Sequence, residues 1–136
     1  KEVADRITCT TGNKKYGILS VFVDTLCDSS IVLDVPPEAF SPRPKIMSSV
    51  IRLKPLKTPR YEVKDWDTFR LVVRSAFGKR RKMLRNSLDN IPGIPTIEEL
   101  EKAAPEFLEL RPEQINPASF VDLANKCFDL SGESND

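Results

Sequence analysis

Four prolines within nine positions, Pro36, Pro37, Pro42 and Pro44, constrain this chain more than any other feature. Proline locks φ and has no N–H to donate, so neither a helix interior nor a central strand can run through 36–44. Before that loop, the β-branched run Ser29–Val35 reads as a strand. After it, Ile46–Leu53 resumes as a strand with Val50, Ile51 and Leu53 apolar. The pair reads as a hairpin at a sheet edge. Two strands alone are not stable in water, so the rest of the sheet is expected to precede Lys1.

Upstream, Lys1–Ile7 reads as the end of a helix with Val3 and Ile7 at i, i+4, and Thr8–Lys15 as a loop. Tyr16–Leu26 is apolar at seven of its eleven positions, which predicts a helix buried on most sides. Downstream of the hairpin, Pro55–Tyr61 reads as a linker, and everything after it is helical. Asp65 is placed to cap a helix running from Trp66 to about Leu88, roughly 35 Å at 1.5 Å per residue. Its core face is Trp66, Phe69, Val73, Ala76, Phe77, Leu84 and Leu88. Gly78 costs that helix about 1 kcal/mol relative to Ala and marks where it would kink or break. Thr96-x-x-Glu99 is a capping box for a short helix to about Ala104. Asn116-Pro117 opens a last helix to about Phe128, with Phe120, Leu123, Ala124 and Cys127 as its apolar stripe, before a frayed tail over 131–136. This describes the tail of an α/β domain over 1–58, then a small all-helical domain over 59–136.

The overall charge of +1 conceals a strong polarity. Residues 1–42 carry a net −2, residues 43–86 a net +11 and residues 87–136 a net −8. A partner sensing the field over about 10 Å meets three different surfaces, and the middle one suits a polyanion. The alternative is that the basic third folds back onto the acidic one.

Several chemistries are excluded. There is no histidine, so the usual triads and His-ligated zinc cannot be built. The five glycines, at 12, 17, 78, 93 and 132, spell no dinucleotide or phosphate loop. No carboxylate cluster or metal-ligand spacing occurs, so no active site is expected within these residues. Cys9, Cys27 and Cys127 are odd in number and far apart, which fits three core hydrophobes in a reducing, cytoplasmic compartment. No apolar run is long enough to span a membrane, no signal peptide opens the chain, and a first residue other than Met suggests a fragment.

Two constellations remain. At about 100° per residue, Arg70, Arg74, Arg81 and Arg85 fall within a 60° arc of the long helix, and Lys79, Arg80 and Lys82 spread the charge around it. Like charges at i, i+4 oppose a helix, and phosphate oxygens, which arginine grips bidentately, would offset the repulsion. The competing reading is a solvated face, or arginines paired with carboxylates of Glu98–Glu109. The second constellation is the loop Phe40-Ser41-Pro42-Arg43-Pro44-Lys45, whose prolines fix an aromatic beside two cations. Stacking on an extruded base with phosphates clamped by Arg43 and Lys45 would need that arrangement, although Phe40 is also an ordinary core residue type.

In order and spacing, these segments resemble the C-terminal half of the ribosomal RNA small subunit adenine dimethyltransferase (KsgA) family. The matching pieces are Lys1-Glu2-Val3-Ala4-Asp5-Arg6-Ile7, Tyr16-Gly17-x-Leu19-Ser20-Val21, and Val35-Pro36-Pro37-x-Ala39-Phe40-x-Pro42-x-Pro44-Lys45. Ser48–Leu53, Phe69–Phe77, Arg80-Arg81-Lys82-x-Leu84-Arg85-Asn86-Ser87-Leu88 and Arg111-Pro112-Glu113 follow. The Arg80–Leu88 block looks like the bacterial rather than the nuclear branch. Met47 departs from the polar or acidic residue usual at its position.

The resemblance implies the α/β C-terminal part of a Rossmann-like methyltransferase domain, contributing helices and an edge hairpin, followed by a small all-α domain. It implies a parent enzyme using S-adenosylmethionine to dimethylate N6 of two adjacent adenosines in the 3′-terminal hairpin of small-subunit ribosomal RNA. The family's glycine-rich cofactor loop, acidic ribose ligand and Asn-Leu-Pro-Tyr motif all precede the position matching Lys1. The segment is therefore expected to bind no cofactor, to be inactive alone, and to supply RNA and ribosome contacts. Asn90-Ile91-Pro92-Gly93 copies part of that motif but lacks the aromatic and reads as a turn. Phe40 matches the family phenylalanine that stacks on the flipped base. Rival readings are a nucleic-acid-binding module without parent chemistry and a helical protein-interaction piece working through its acidic tail. Self-association through residues 16–53 is also expected.

Overall fold

A computed structural model describes residues 2–36 and 48–134. Helix α1 (Glu2–Thr8) leads through a loop to α2 (Ile18–Leu26), which runs directly into strand β1 (Cys27–Val35). Strand β2 (Ser48–Pro55) returns antiparallel to β1, with Cys27 opposite Pro55 and Ile31 opposite Ile51. Leu33 then pairs with Val50, which leaves Val32 as the extra residue of a bulge. The hairpin is as expected, each strand starting or ending two residues beyond its expected limit. Val32, Leu33, Val50 and Leu53 are each roughly half exposed on it.

The presumed linker is more than a spacer. The N–H groups of Leu56 and Arg60 donate to the carbonyls of Leu26 and Thr25 at 2.9 and 2.8 Å. The Arg60 guanidinium reaches the carbonyls of Asp24 and Cys27 and the Asp28 carboxylate at 2.8, 3.1 and 2.6 Å. Together they satisfy the carbonyls left open at the C-terminal end of α2. Helix α2 itself buries Ser20, Val21 and Thr25 while Leu19 and Leu26 stay exposed, so it is one-sided rather than buried on most sides.

The helical part comprises α3 (Trp66–Gly78), α4 (Leu84–Ser87), α5 (Ile97–Ala103), α6 (Pro105–Leu108), a 3-10 turn (Pro112–Gln114) and α7 (Pro117–Ser134). Three N-cap side chains accept as expected, although among the described residues Glu99 makes no return bond to complete the box with Thr96. Asp65 accepts from the Thr68 N–H at 3.0 Å, Thr96 from Glu99 at 3.2 Å and Asn116 from Ser119 at 2.8 Å. Helix α7 outlasts its expected end because Leu130 continues the stripe of Cys127 by packing on the core. The single helix over 66–88 is corrected to two. Helix α3 stops at Gly78, four consecutive cations occupy a turn, and α4 begins at Leu84. Glycine weakens the helix there, and the cations gain more beyond its negative C-terminal end than in a repelling helical run.

The core is built where α3 packs on α7. Phe69, Val72, Val73, Ala76 and Phe77 meet Phe120, Leu123, Ala124 and Cys127, with Leu84, Leu88, Leu100 and Leu108 closing it. Each large buried side chain contributes roughly 1.5–3 kcal/mol. Tyr16 and Val21 belong to the same cluster, and the Phe22 and Phe69 rings meet edge-on at 5.4 Å. Trp66, expected in the core, is partly exposed beside Phe69. Of the cysteines only Cys127 is fully buried. Cys9 lines the core margin, and Cys27, at the α2–β1 junction, is half-buried, because each falls at an element end.

Candidate nucleic-acid interface

The cationic turn between α3 and α4 is held by its own backbone and by both flanks. The Lys82 N–H donates to the Lys79 carbonyl at 2.9 Å, closing the turn. The Leu84 N–H reaches the Leu110 carbonyl at 2.8 Å, and the Met83 carbonyl receives Asn86 and Ser87 to start α4. On one flank, Arg80 Nη1 donates to the carbonyls of Tyr16 at 2.6 Å and Lys14 at 3.2 Å, with its guanidinium 5.1 Å from the Phe77 ring centre. On the other flank, Arg85 donates to Glu109 through Nε and Nη2 at 3.0 and 2.6 Å, and also to Glu101. The bond to Glu101, then that to Glu109, holds the Arg85 guanidinium charged above its ordinary range.

The seven expected basic residues of the helical part therefore separate into three kinds. Arg80 and Arg85 are engaged within the chain. Arg70 is exposed and makes a short-range pair with Asp67 at 3.1 Å. Arg74, Lys79, Arg81 and Lys82 are exposed and, among the described residues, make no ion pair. With the helix broken, the 60° arc no longer exists as one stripe: Arg70 and Arg74 lie on α3, Arg81 on the turn and Arg85 on α4. Phe40, Arg43 and Lys45 lie outside the described residues.

The acidic third covers only part of the basic one. Besides Arg85, Lys64 pairs with Asp129 at 2.8 Å, while Glu106 and Asp122 both hold Lys126. Among the described residues, no carboxylate pairs with the exposed cations of the turn, which keep a positive field there.

The fold brings two further cations to the turn, Arg6 from α1 and Lys15 from the loop after it. A cleft of about 200 Å³ beside the turn is lined by Arg6, Lys15 and Arg80 together with Gly17, Ile18, Leu19 and Phe77, and among the described residues no carboxylate lines it. Lys15 also pairs with Asp5 at 3.0 Å. Only the adjacent Lys14-Lys15 hinted at this, because Arg80 is brought there from sixty-four positions beyond Tyr16. Among the described residues no group of His, Cys, Asp and Glu could hold a metal ion, and no helix is long and apolar enough to cross a membrane.

The family model described as ribosomal RNA adenine dimethylase matches residues 1–111. A ribosomal RNA small subunit methyltransferase A from Wolbachia pipientis subsp. Culex pipiens is 45% identical over 127 residues, covering 92% of this chain and 46% of the relative. Its counterpart in Pseudomonas aeruginosa is 40% identical over 132 residues, covering 97% and 48%. The chain thus spans about half the length of these relatives. A crystal structure of a dimethyladenosine transferase from Plasmodium falciparum superposes with a TM-score of 0.77 at 22% identity, over 97% of this chain and 55% of that one. The 23S rRNA methyltransferase ErmE superposes with a TM-score of 0.57 at 22% identity, over 93% and 51%. These two likenesses support a methyltransferase fold.

Proposed function

Because the chain belongs to the ribosomal RNA adenine dimethylase family, we propose that it is the RNA-binding part of a small-subunit ribosomal RNA adenine N6,N6-dimethyltransferase. The parent enzyme dimethylates two adjacent adenosines in the 3′-terminal hairpin of that RNA and works in the cytoplasm on the small ribosomal subunit. S-adenosylmethionine supplies its methyl groups. The described residues of this chain do not fit that donor, since their five separated glycines form no cradle and the two strands among them form an antiparallel hairpin. Residues 1–58 complete the methyltransferase domain, and residues 59–136 form the helical RNA-binding domain.

The observation that carries this reading is the turn itself: Lys79, Arg81 and Lys82 are exposed and, among the described residues, make no ion pair, on a backbone tied at both ends. Such a group contacts phosphates, which position an RNA without reading its sequence. Arg70 and Arg74 extend the same contact along α3. Phe40 stacks on the extruded adenine, with Arg43 and Lys45 on the neighbouring phosphates.

The test is binding of this chain to an RNA hairpin from the small-subunit 3′ end across a salt series. Arg81→Glu with Lys82→Glu should weaken binding and flatten the slope of log affinity against log salt by roughly 0.7–0.9 per lost contact. Arg85→Glu should act differently, lowering the melting temperature first, because it sets a third carboxylate against Glu101 and Glu109. In the parent enzyme, Phe40→Ala should lower turnover with little change in RNA affinity. Unchanged affinity and slope in the Arg81, Lys82 double reversal would overturn the reading.

A further inference from the structure

We propose that Arg80 is a positioning residue, a latch that fixes the cationic turn to the 14–17 segment so that Arg81 and Lys82 present their charges at one place relative to α2. The consequence for RNA rests on the function proposed above; the latch itself does not.

Arg80 sits in the most basic run of the chain, yet its surroundings differ from those of its neighbours. Arg81 and Lys82 are exposed, whereas Arg80 is half-buried. Its Nη1 is shared between the carbonyls of Tyr16 and Lys14, and its Cζ lies over the Phe77 ring, 5.1 Å from the centre. On Gly17 a Cβ would come within 2.9 Å of Nη2, so the absence of a side chain there leaves room for the guanidinium. The loop carbonyls gain a charged donor, which is worth more than a neutral one. A lysine would carry the same charge but neither the planar fork nor the stacking face.

The segment Arg80 grips is tied down at two further points. The Gly12 N–H donates to the Glu113 carbonyl at 2.6 Å, and the Tyr16 phenol donates to the Ile115 carbonyl at 2.6 Å. Both ties end in the 112–115 stretch, whereas Arg80 alone joins the segment to the cationic turn through side-chain hydrogen bonds among the described residues. Losing Arg80 would leave the loop tied to the 112–115 stretch and the turn tied to Leu110, with no side-chain hydrogen bond among the described residues fixing one against the other.

The experiment measures amide hydrogen exchange at Lys15, Tyr16 and Lys82 in the free 136-residue chain for Arg80→Lys, Arg80→Ala and Gly17→Ala. The same variants are then titrated with the RNA hairpin. Exchange should quicken roughly tenfold or more in Arg80→Lys and Arg80→Ala alike, as for loss of a charged hydrogen bond. Gly17→Ala, which keeps every charge and displaces the guanidinium, should move the same amides in the same direction. The Arg80→Ala, Gly17→Ala double variant should be no worse than Arg80→Ala. RNA affinity should fall as far in Arg80→Lys as in Arg80→Ala. Wild-type exchange and wild-type RNA affinity in Arg80→Lys would overturn the latch, leaving Arg80 as a charge alone. If the unaltered chain bound no RNA, the proposed function would fail while the exchange measurements still decided the latch.

Discussion

The Tyr16 phenol donates a 2.6 Å hydrogen bond to the backbone carbonyl of Ile115, ninety-nine positions further along the chain. Both residues are buried, and the Tyr16 ring meets Phe77 edge-on at 5.7 Å. Burial pushes the phenol well above its ordinary pKa, so it remains a donor across the whole working range. The contact joins the segment before the hairpin to the acidic region that follows the cationic turn.

Tyr16→Phe should therefore cost about 1–3 kcal/mol, because the phenyl ring still fills its place while the Ile115 carbonyl is left buried without its donor. Urea unfolding of the two proteins measures it. Identical midpoints at identical slope would show that the carbonyl finds another donor.

The second tyrosine gives a pH signature. Burial, then the 2.7 Å hydrogen bond to Asp24, pushes the Tyr61 phenol from its ordinary 10.0 up to about 12. A raised folded-state pKa means the folded chain holds the proton more tightly. The stabilisation is complete below pH 10, declines as pH rises past 10 and is gone above about 12. Tyrosinate absorbance should stay low at pH 10 in the folded chain and be half-developed there in denaturant. Coincident titrations would contradict the burial of Tyr16 and the Tyr61–Asp24 hydrogen bond.

Thiol reactivity should sort the three cysteines. Burial pushes the Cys127 thiol up to about 12, and the thiolate is the reactive form. Cys9 and Cys27, at the margins of the fold, should react with a disulfide reagent under native conditions, and Cys127 only on unfolding. Three equally fast thiols would mean the α3–α7 core opens readily.

The exposed apolar side chains of the hairpin should drive association of the chain as given. Paired strand edges and half-exposed Leu33, Val50 and Leu53 offer a surface for a second copy. Sedimentation should show oligomers that Val50→Lys with Leu53→Lys disperses without loss of helix. A monomer at high concentration in the unaltered chain would rule this out.

Local chemistry made much of the architecture legible. The prolines at 36, 37, 42 and 44 separated two strands, and Asp65, Thr96 and Asn116-Pro117 announced three helix starts that the structure keeps. Caps and β-branched runs act within three or four residues, so a sequence window contains the whole interaction. The short α6 and the 3-10 turn at Pro112 carry no sequence signal because they are too brief for any periodicity. Gly78 signalled a break, but whether the helix bent or stopped depended on what waited beyond it.

The cations show the division most clearly. From the sequence alone came the sign and place of the charge, a net +11 over residues 43–86 between two acidic stretches, because charge is additive along a chain. The fate of each cation was decided only by folding. Arg80, Arg81 and Arg85 are alike in residue type and locally in surroundings, yet Arg80 finds carbonyls sixty-four and sixty-six positions before it, Arg85 finds Glu109 twenty-four positions after it, and Arg81 stays in solvent. A guanidinium is satisfied by whatever acceptors the fold brings within about 3 Å, and no local pattern encodes acceptors supplied by distant backbone and distant carboxylates.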